Sequence, residues 1–324
     1  MYSASQLLDL INSYLKQNSY KRQPNGLYDP IEYTISLGGK RIRPTMLLMA
    51  YNLYKEDVNE AIGAAAAIEF YHNFSLLHDD LMDRSDMRRG QPTVYRKWDE
   101  NTAILSGDAM TILAYQYLAS LDGGQLKEAL PIFNDAALGI CEGQQLDMEF
   151  ENRSDVTVDE YINMIRLKTG VLIAAAIKLG ATIGGAPKED AERLYNAGLN
   201  AGLAFQLQDD YLDVYGDPAV FGKKVGGDIL CNKKTFMLIT ALRLADAEQS
   251  LELRKWLEAT EYNPQEKIAA VTAIYNQLGV KEVCNDMIQE YYKVAMDNLD
   301  KVNVPQDRKQ ELRKSIEKLM GRKM

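Results

Sequence analysis

Helix punctuation restricts the fold of this chain more than any other feature of its sequence. Thr157-Val158-Asp159-Glu160 has the form of a capping box, a hydroxyl cap followed three residues later by an acid. Asn263-Pro264-Gln265-Glu266 sets a cap residue, a proline at the first helical position and an acidic third position in order. Pro187 and Pro305 mark two further starts, and Gly184-Gly185 supplies a left-handed stop just before Pro187. These signals predict one helix from about Thr157 to Ile183 and another from about Pro187 to Tyr215. The intervening sequence is rich in strong helix formers, and 9 prolines in 324 residues leave room for long uninterrupted helices. Strand signals are weak, so the expected class is all-α. No fixed-period repeat and no Pro/Gly/Ser-rich linker divides the chain, and a single domain over residues 1–324 is expected.

Charge and cysteine usage narrow the function. With 37 Lys+Arg against 46 Asp+Glu the net charge is −9, which removes the counterion release that nonspecific nucleic-acid binding depends on. DNA and RNA are therefore not expected as partners. Cys141, Cys231 and Cys284 are odd in number and widely spaced, which suits neither a disulfide framework nor a structural zinc site. A reducing cytoplasm is the expected location. The opening residues lack a basic segment followed by an apolar one, so no secretory signal is expected. The longest apolar passage, Val171 to Ile177, is far short of the roughly 20 residues of a bilayer span.

Chemistry enters with Leu76-Leu77-His78-Asp79-Asp80-Leu81-Met82-Asp83, where Asp79 and Asp83 stand four apart and share one helix face. A single such triplet reads equally well as a solvated acidic helix end. The pattern recurs in Phe205-Gln206-Leu207-Gln208-Asp209-Asp210-Tyr211-Leu212-Asp213, again closing an apolar helix. Repeated carboxylates suit a hard divalent cation, and Mg²⁺ usually takes a few carboxylates while substrate phosphates complete its octahedron. The triplets lack the alternating oxygen spacing of a calcium loop. Cations suited to a diphosphate lie nearby: Gly38-Gly39-Lys40-Arg41-Ile42-Arg43-Pro44, the Arg88-Arg89-Gly90 run, Lys168-Thr169-Gly170, Lys223 and Lys233-Lys234.

These motifs, in this order over about residues 27 to 240, resemble the trans-isoprenyl diphosphate synthase (polyprenyl synthetase) family. The resemblance implies a single all-α bundle around a central cavity, usually a homodimer. It implies that Asp79, Asp80 and Asp83, with Asp209, Asp210 and Asp213, face each other across that cavity and hold several Mg²⁺ ions that grip an allylic diphosphate. Arg88, Lys168, Thr169, Gln206, Lys223 and Lys233 match positions the family uses around the allylic substrate, and Lys40, Arg43, His72 and Arg89 match its isopentenyl diphosphate site. On the helix pattern alone His72 reads as a satisfied core histidine, and only its place in the motif reverses that. The apolar runs 108–120 and 127–139 are the expected interface helices.

The implied reaction is ionisation, condensation and elimination. Oxygen near Lys168-Thr169 and the Gln206 amide would face the transient cation. The departing diphosphate is the implied proton acceptor, and with His72 and His78 the only histidines no side-chain base is assigned. Ile68, Tyr71, Phe74 and Ser75 follow i, i+3, i+4 spacing below Asp79, a stripe that reads as core, as tunnel wall, or as both. At 5.4 Å per turn Phe74 lies about 7 Å and Tyr71 about 12 Å from Asp79 along the axis. Because bulky residues at the Phe74 position resemble those of short-chain family members, a product of fifteen or twenty carbons is expected, fifteen favoured by the second obstruction at Tyr71. His78 is expected to pack or hydrogen-bond near the triplet. The competing readings are a terpene cyclase, which needs neither Lys40 and Arg43 nor a complete second triplet, and a catalytically silent subunit of another synthase.

Overall fold

The structure, a computed structural model, describes residues 1–18, 20–217 and 225–320. Lys223 and the basic stretch Gly321-Arg322-Lys323 lie outside the described residues. The chain forms two compact units: Met1–Ile140 with Leu172–Gly198 and Asn298–Ser315, and Cys141–Val171 with Leu199–Asp297 and Ile316–Met324.

Among the described residues of the first unit, α1 (Ala4–Gln17), α2 (Asn25–Ser36), α3 (Ile42–Asn52), the short α5 (Val94–Lys97) and α6 (Glu100–Leu118) enclose α4 (Ile62–Met82). Enclosure explains why α4 lacks a polar stripe: Ala64 to Ala67, Ile68 and Phe70 are wholly buried on successive faces. Gly63 permits the close approach of α4 to α6, since a Cβ there would lie 2.4 Å from Ser120 Oγ. The buried Glu69 carboxylate inside this apolar helix is paired with Arg41 at 2.5 Å and accepts from Asn73 Nδ2 at 2.7 Å, as a charge removed from water must be. A helix α7 follows at Gly123–Glu151.

The second unit is built on α8 (Val158–Ile165), the later part of α10 (Lys188–Tyr215) and the helices Phe236–Leu244, Ala247–Glu258, Pro264–Gln277 and Val280–Asp300. Its core contains Tyr161, Leu207, Phe236, Met237, Leu253, Val280 and Cys284. The Thr157 capping box and the Asn263 cap are both formed.

The helix expected from Thr157 to Ile183 is interrupted. Arg166–Gly170 forms a π turn, in which the Val171 N–H reaches back to the Arg166 carbonyl, before α9 resumes at Val171–Ile183. One extra residue turns the following helix by about 100°, but the run Val171–Ile177 is apolar on every face and hides that shift in the sequence pattern, while Lys168, Thr169 and Gly170 leave regular helical positions. Strand content among the described residues is confined to β1 (Met87–Arg88) paired antiparallel with β2 (Gln91–Pro92). No described helix is long and apolar enough to cross a membrane.

Candidate active site

In the first unit Asp79 and Asp80 occupy the last turn of α4, and Asp83 caps its end, its N–H bonded to Asp79 O at 2.8 Å. The chain then reverses through the β1–β2 hairpin, whose two-residue loop is Arg89-Gly90. Both loop residues have positive φ, 53° and 74°, as a tight hairpin matching strand twist requires. This turn returns Arg88 to Asp80, with Nε 2.8 and 2.7 Å from the two carboxylate oxygens. Burial pushes the Asp80 carboxyl up and Arg88 opposes it.

Arg89 reaches the glycine loop before α3, donating to Gly38 O; a Cβ on Gly39 would lie 2.9 Å from its guanidinium carbon. Gly39 also has φ 133°. Lys40 is exposed on this loop. Arg41 is committed to Glu69 and to Ile35 O. Arg43 Nη1 lies 3.2 Å from His72 Nε2, and its buried Nε has no hydrogen-bond partner. Burial lowers Arg43 to about 10. His72 is held well below its ordinary range by burial and then by Arg43, Arg89, Arg88 and Arg41, so it stays neutral and accepts from Arg43. Arg89 is likewise lowered, chiefly by burial. Neither Arg43 nor Arg89 makes an ion pair among the described residues. Partly desolvated cations crowded in this way favour an anion.

In the second unit a hydrogen-bonded chain runs through α8, the π turn and α10. Thr169 Oγ1 donates to Gln206 Oε1 at 3.1 Å, Gln206 Nε2 donates to Asp210 Oδ1 at 3.2 Å, and the Tyr161 hydroxyl donates to Asp210 Oδ2. Asp210 is buried, and burial followed by the charge of Asp228 pushes it to about 7, opposed by Lys233, Tyr161 and Gln206. Asp213 accepts from the Asp228 N–H at 2.9 Å, and its backbone oxygen from the Gly226 N–H at 2.6 Å. Lys168 Nζ lies 2.6 Å from Asp147 Oδ2. The π turn seats against α7 at Gly143, where a Cβ would be 2.4 Å from Lys168 N.

Below the first triplet the stripe is core and aromatic. Tyr71 is buried, donates to Ala137 O at 2.9 Å and meets Phe74 and Phe133 at ring distances of 5.1 and 5.4 Å. Ser75 donates to His72 O.

The structure thus gathers Arg43, His72, Arg88 and Arg89 near the first triplet, and Thr169, Gln206 and Lys233 around the second, while Lys168 beside Thr169 pairs with Asp147. Sequence reasoning missed Glu69, Asp147, Gly143 and Tyr161. A lone acid within an apolar helix signals Glu69, and a mid-helix glycine signals a close approach at Gly143; Tyr161 carries no such signal. The six aspartates, treated alike on sequence, are distinguished by burial: the middle one of each triplet, Asp80 and Asp210, is buried, Asp80 against Arg88 and Asp210 against Tyr161 and Gln206. Among the described residues no three acidic, histidine or cysteine side chains converge to cage a metal unaided. The donor set still fits Mg²⁺, which needs one or two carboxylates and fills its remaining positions with water and substrate phosphate.

The polyprenyl synthetase family model matches residues 24–277. A short chain isoprenyl diphosphate synthase of Methanothermobacter thermautotrophicus is 37% identical over 303 residues, covering 91% of this chain and 92% of that protein. The crystal structure of a geranylgeranyl pyrophosphate synthase is similar with a TM-score of 0.94 at 42% identity, each chain covered completely. A geranylgeranyl pyrophosphate synthase from Corynebacterium glutamicum, solved in complex with isoprenyl diphosphate and magnesium, is similar with a TM-score of 0.87 at 27% identity over 99% of this chain and 100% of that one.

Proposed function

The chain belongs to the polyprenyl synthetase family, and from that premise we propose that it is a short-chain trans-prenyltransferase joining isopentenyl diphosphate to an allylic diphosphate. The observation that carries this reading is the crowd of cations beside the first aspartate triplet: Arg43 and Arg89, lowered by burial and without ion pairs among the described residues, around a neutral His72. A diphosphate is the anion whose charge and paired oxygens such a set would take.

In this reading Lys40, Arg43, His72 and Arg89 bind isopentenyl diphosphate, while Arg88, Lys168, Thr169, Gln206, Lys223 and Lys233 surround the allylic substrate. Asp79, Asp83, Asp209 and Asp213 hold Mg²⁺, with Asp80 and Asp210 orienting Arg88 and Gln206 beside them. The magnesium complex of the Corynebacterium relative supports the choice of metal. Bound Mg²⁺ supplies the positive charge that stabilises a departing diphosphate. Arg88 adds its guanidinium to that leaving group, and the Thr169 and Gln206 oxygens turn fixed dipoles toward the developing carbocation. His72 is a poor base, because Arg43 already donates to its Nε2 and nearby arginines penalise its protonation. The departing diphosphate takes the proton lost from the condensed product.

Phe74, with Tyr71 behind it, ends chain growth at fifteen or twenty carbons. The chain acts as one polyprenyl synthetase domain in a homodimer, and three free cysteines suit a reducing cytoplasm. The exposed Ile104, Leu105, Ile112 and Tyr115 of α6 with Leu138 of α7 support the dimer. The comparisons give a terpene cyclase no support.

The test is incubation of the purified protein with Mg²⁺, radiolabelled isopentenyl diphosphate and dimethylallyl, geranyl or farnesyl diphosphate in turn, the dephosphorylated products being resolved by length. A fifteen- or twenty-carbon alcohol is expected. No incorporation with any primer would overturn the reading in favour of a silent subunit.

A further inference from the structure

Resting on the reading that Phe74 ends chain growth, we infer that His78 is a specificity-determining residue: docked on α6, its ring holds the Phe74 ring in the obstructing position. Phe74 is half-buried and hydrocarbon throughout, so it has no hydrogen bond of its own to fix it. Its ring is set between two others, Tyr71 at 5.1 Å and His78 at 4.8 Å, both edge-on.

Each neighbour is anchored to backbone. The Tyr71 hydroxyl donates to Ala137 O in α7 at 2.9 Å. His78 Nε2 lies 3.1 Å from Ile104 O in α6, and because a carbonyl only accepts, Nε2 carries the proton. Three residues on from Ile104, Gly107 leaves a notch on the same face of α6. A Cβ at Gly107 would lie 2.2 Å from His78 Nε2 and 2.5 Å from its Cδ2. Acceptor and notch together make a seat for one imidazole. Tyr71 and His78 therefore tie the Phe74 wall to α7 on one side and to α6 on the other. Without the His78 ring, the side chain four residues earlier on the same helix face gains room to rotate out of the path of a growing chain.

The experiment measures product-length distributions from farnesyl and dimethylallyl diphosphate with isopentenyl diphosphate for the full chain and its variants. His78→Ala is expected to raise the ratio of products longer than the parent's main product on the order of fivefold, with the first condensation retained. Gly107→Ala is expected to act in the same direction, because the added methyl displaces the imidazole without altering His78 itself, and it serves where His78→Ala does not fold. Phe74→Ala/His78→Ala is expected to match Phe74→Ala, since no wall remains to be held. If Phe74→Ala lengthens the product but neither His78→Ala nor Gly107→Ala does, the inference about His78 is overturned while the ruler stands. If Phe74→Ala leaves the product unchanged, the ruler itself has failed and the inference falls with it.

Discussion

Arg88 holds Asp80 through one edge of its guanidinium, Nε at 2.8 and 2.7 Å from the two carboxylate oxygens and Nη2 at 2.7 Å from Oδ1. The contact depends on a hairpin that turns at Arg89-Gly90 and brings a basic residue eight positions downstream back onto the end of α4. It engages the carboxylate of the middle aspartate of the triplet from outside its own helix.

From this follows a separation of roles that a magnesium titration reads. Asp79→Asn and Asp83→Asn are expected to raise the Mg²⁺ concentration for half-maximal velocity on the order of tenfold or more. Asp80→Asn and Arg88→Ala are expected to lower maximal velocity with a much smaller change in that concentration. Equal Mg²⁺ shifts for all three asparagine variants would sink the distinction.

The Lys168 ammonium is fixed by Asp147 at 2.6 Å, and both side chains are largely buried. Removing the acid leaves a desolvated charge without its main counterion, a loss of about 1.5–3 kcal/mol for a charged hydrogen bond. Asp147→Asn is therefore expected to cut kcat/KM for the allylic substrate by on the order of tenfold or more. KM for isopentenyl diphosphate is expected to hold. Steady-state kinetics with each substrate varied separately checks this, and an equal rise in both KM values counts against it.

Protonation of His72 is penalised in the folded protein, chiefly by burial and then by four arginines. A histidine whose folded pKa is depressed contributes stability above its ordinary value near 6.5, and that contribution is lost as pH falls toward the folded value. The ligand-free protein is thus expected to lose thermal stability progressively below about pH 6.5, and His72→Gln to flatten that part of the curve. Melting temperatures of both proteins from pH 8 to pH 5 measure it; parallel curves would show that His72 is not the group responsible.

The apolar side chains exposed on α6 and α7 form the face proposed to join two copies. Ile112 and Leu138, 61% and 62% exposed, are its most open members on the two helices. The parent is expected to sediment at twice 36.5 kDa, and Ile112→Glu/Leu138→Glu at the monomer mass with helicity unchanged. A variant that stays dimeric would move the interface elsewhere.

The ends of helices were legible because caps, first-turn prolines and paired glycines act through local backbone geometry. Thr157 and Asn263 begin helices as their neighbours in sequence dictate. The π turn at Arg166–Gly170 was not legible in its own residues, and the close packing of its backbone on α7 depends on Gly143, a glycine more than twenty residues away. Lys267 and Lys309 show the same limit: nothing in their neighbouring residues marks them, yet both are buried, Lys267 bonded to Asn232 Oδ1 and Lys309 to the carbonyls of Asp300 and Val302.

The sequence by itself determined the helical class and the chemical types at the site, because periodicity, caps and spaced carboxylate and basic motifs are properties of short segments. Tertiary structure alone decided which of those groups remain available to a ligand. Arg41 and Arg43 stand two apart in one basic loop, yet a buried Glu69 neutralises the first and leaves the second facing a neutral histidine. Asp80 and Asp210 look like their neighbours until Arg88, Tyr161 and Gln206 close on them. Pairing of this kind depends on residues distant in the chain, and the free energy of a charge is set by what surrounds it after folding.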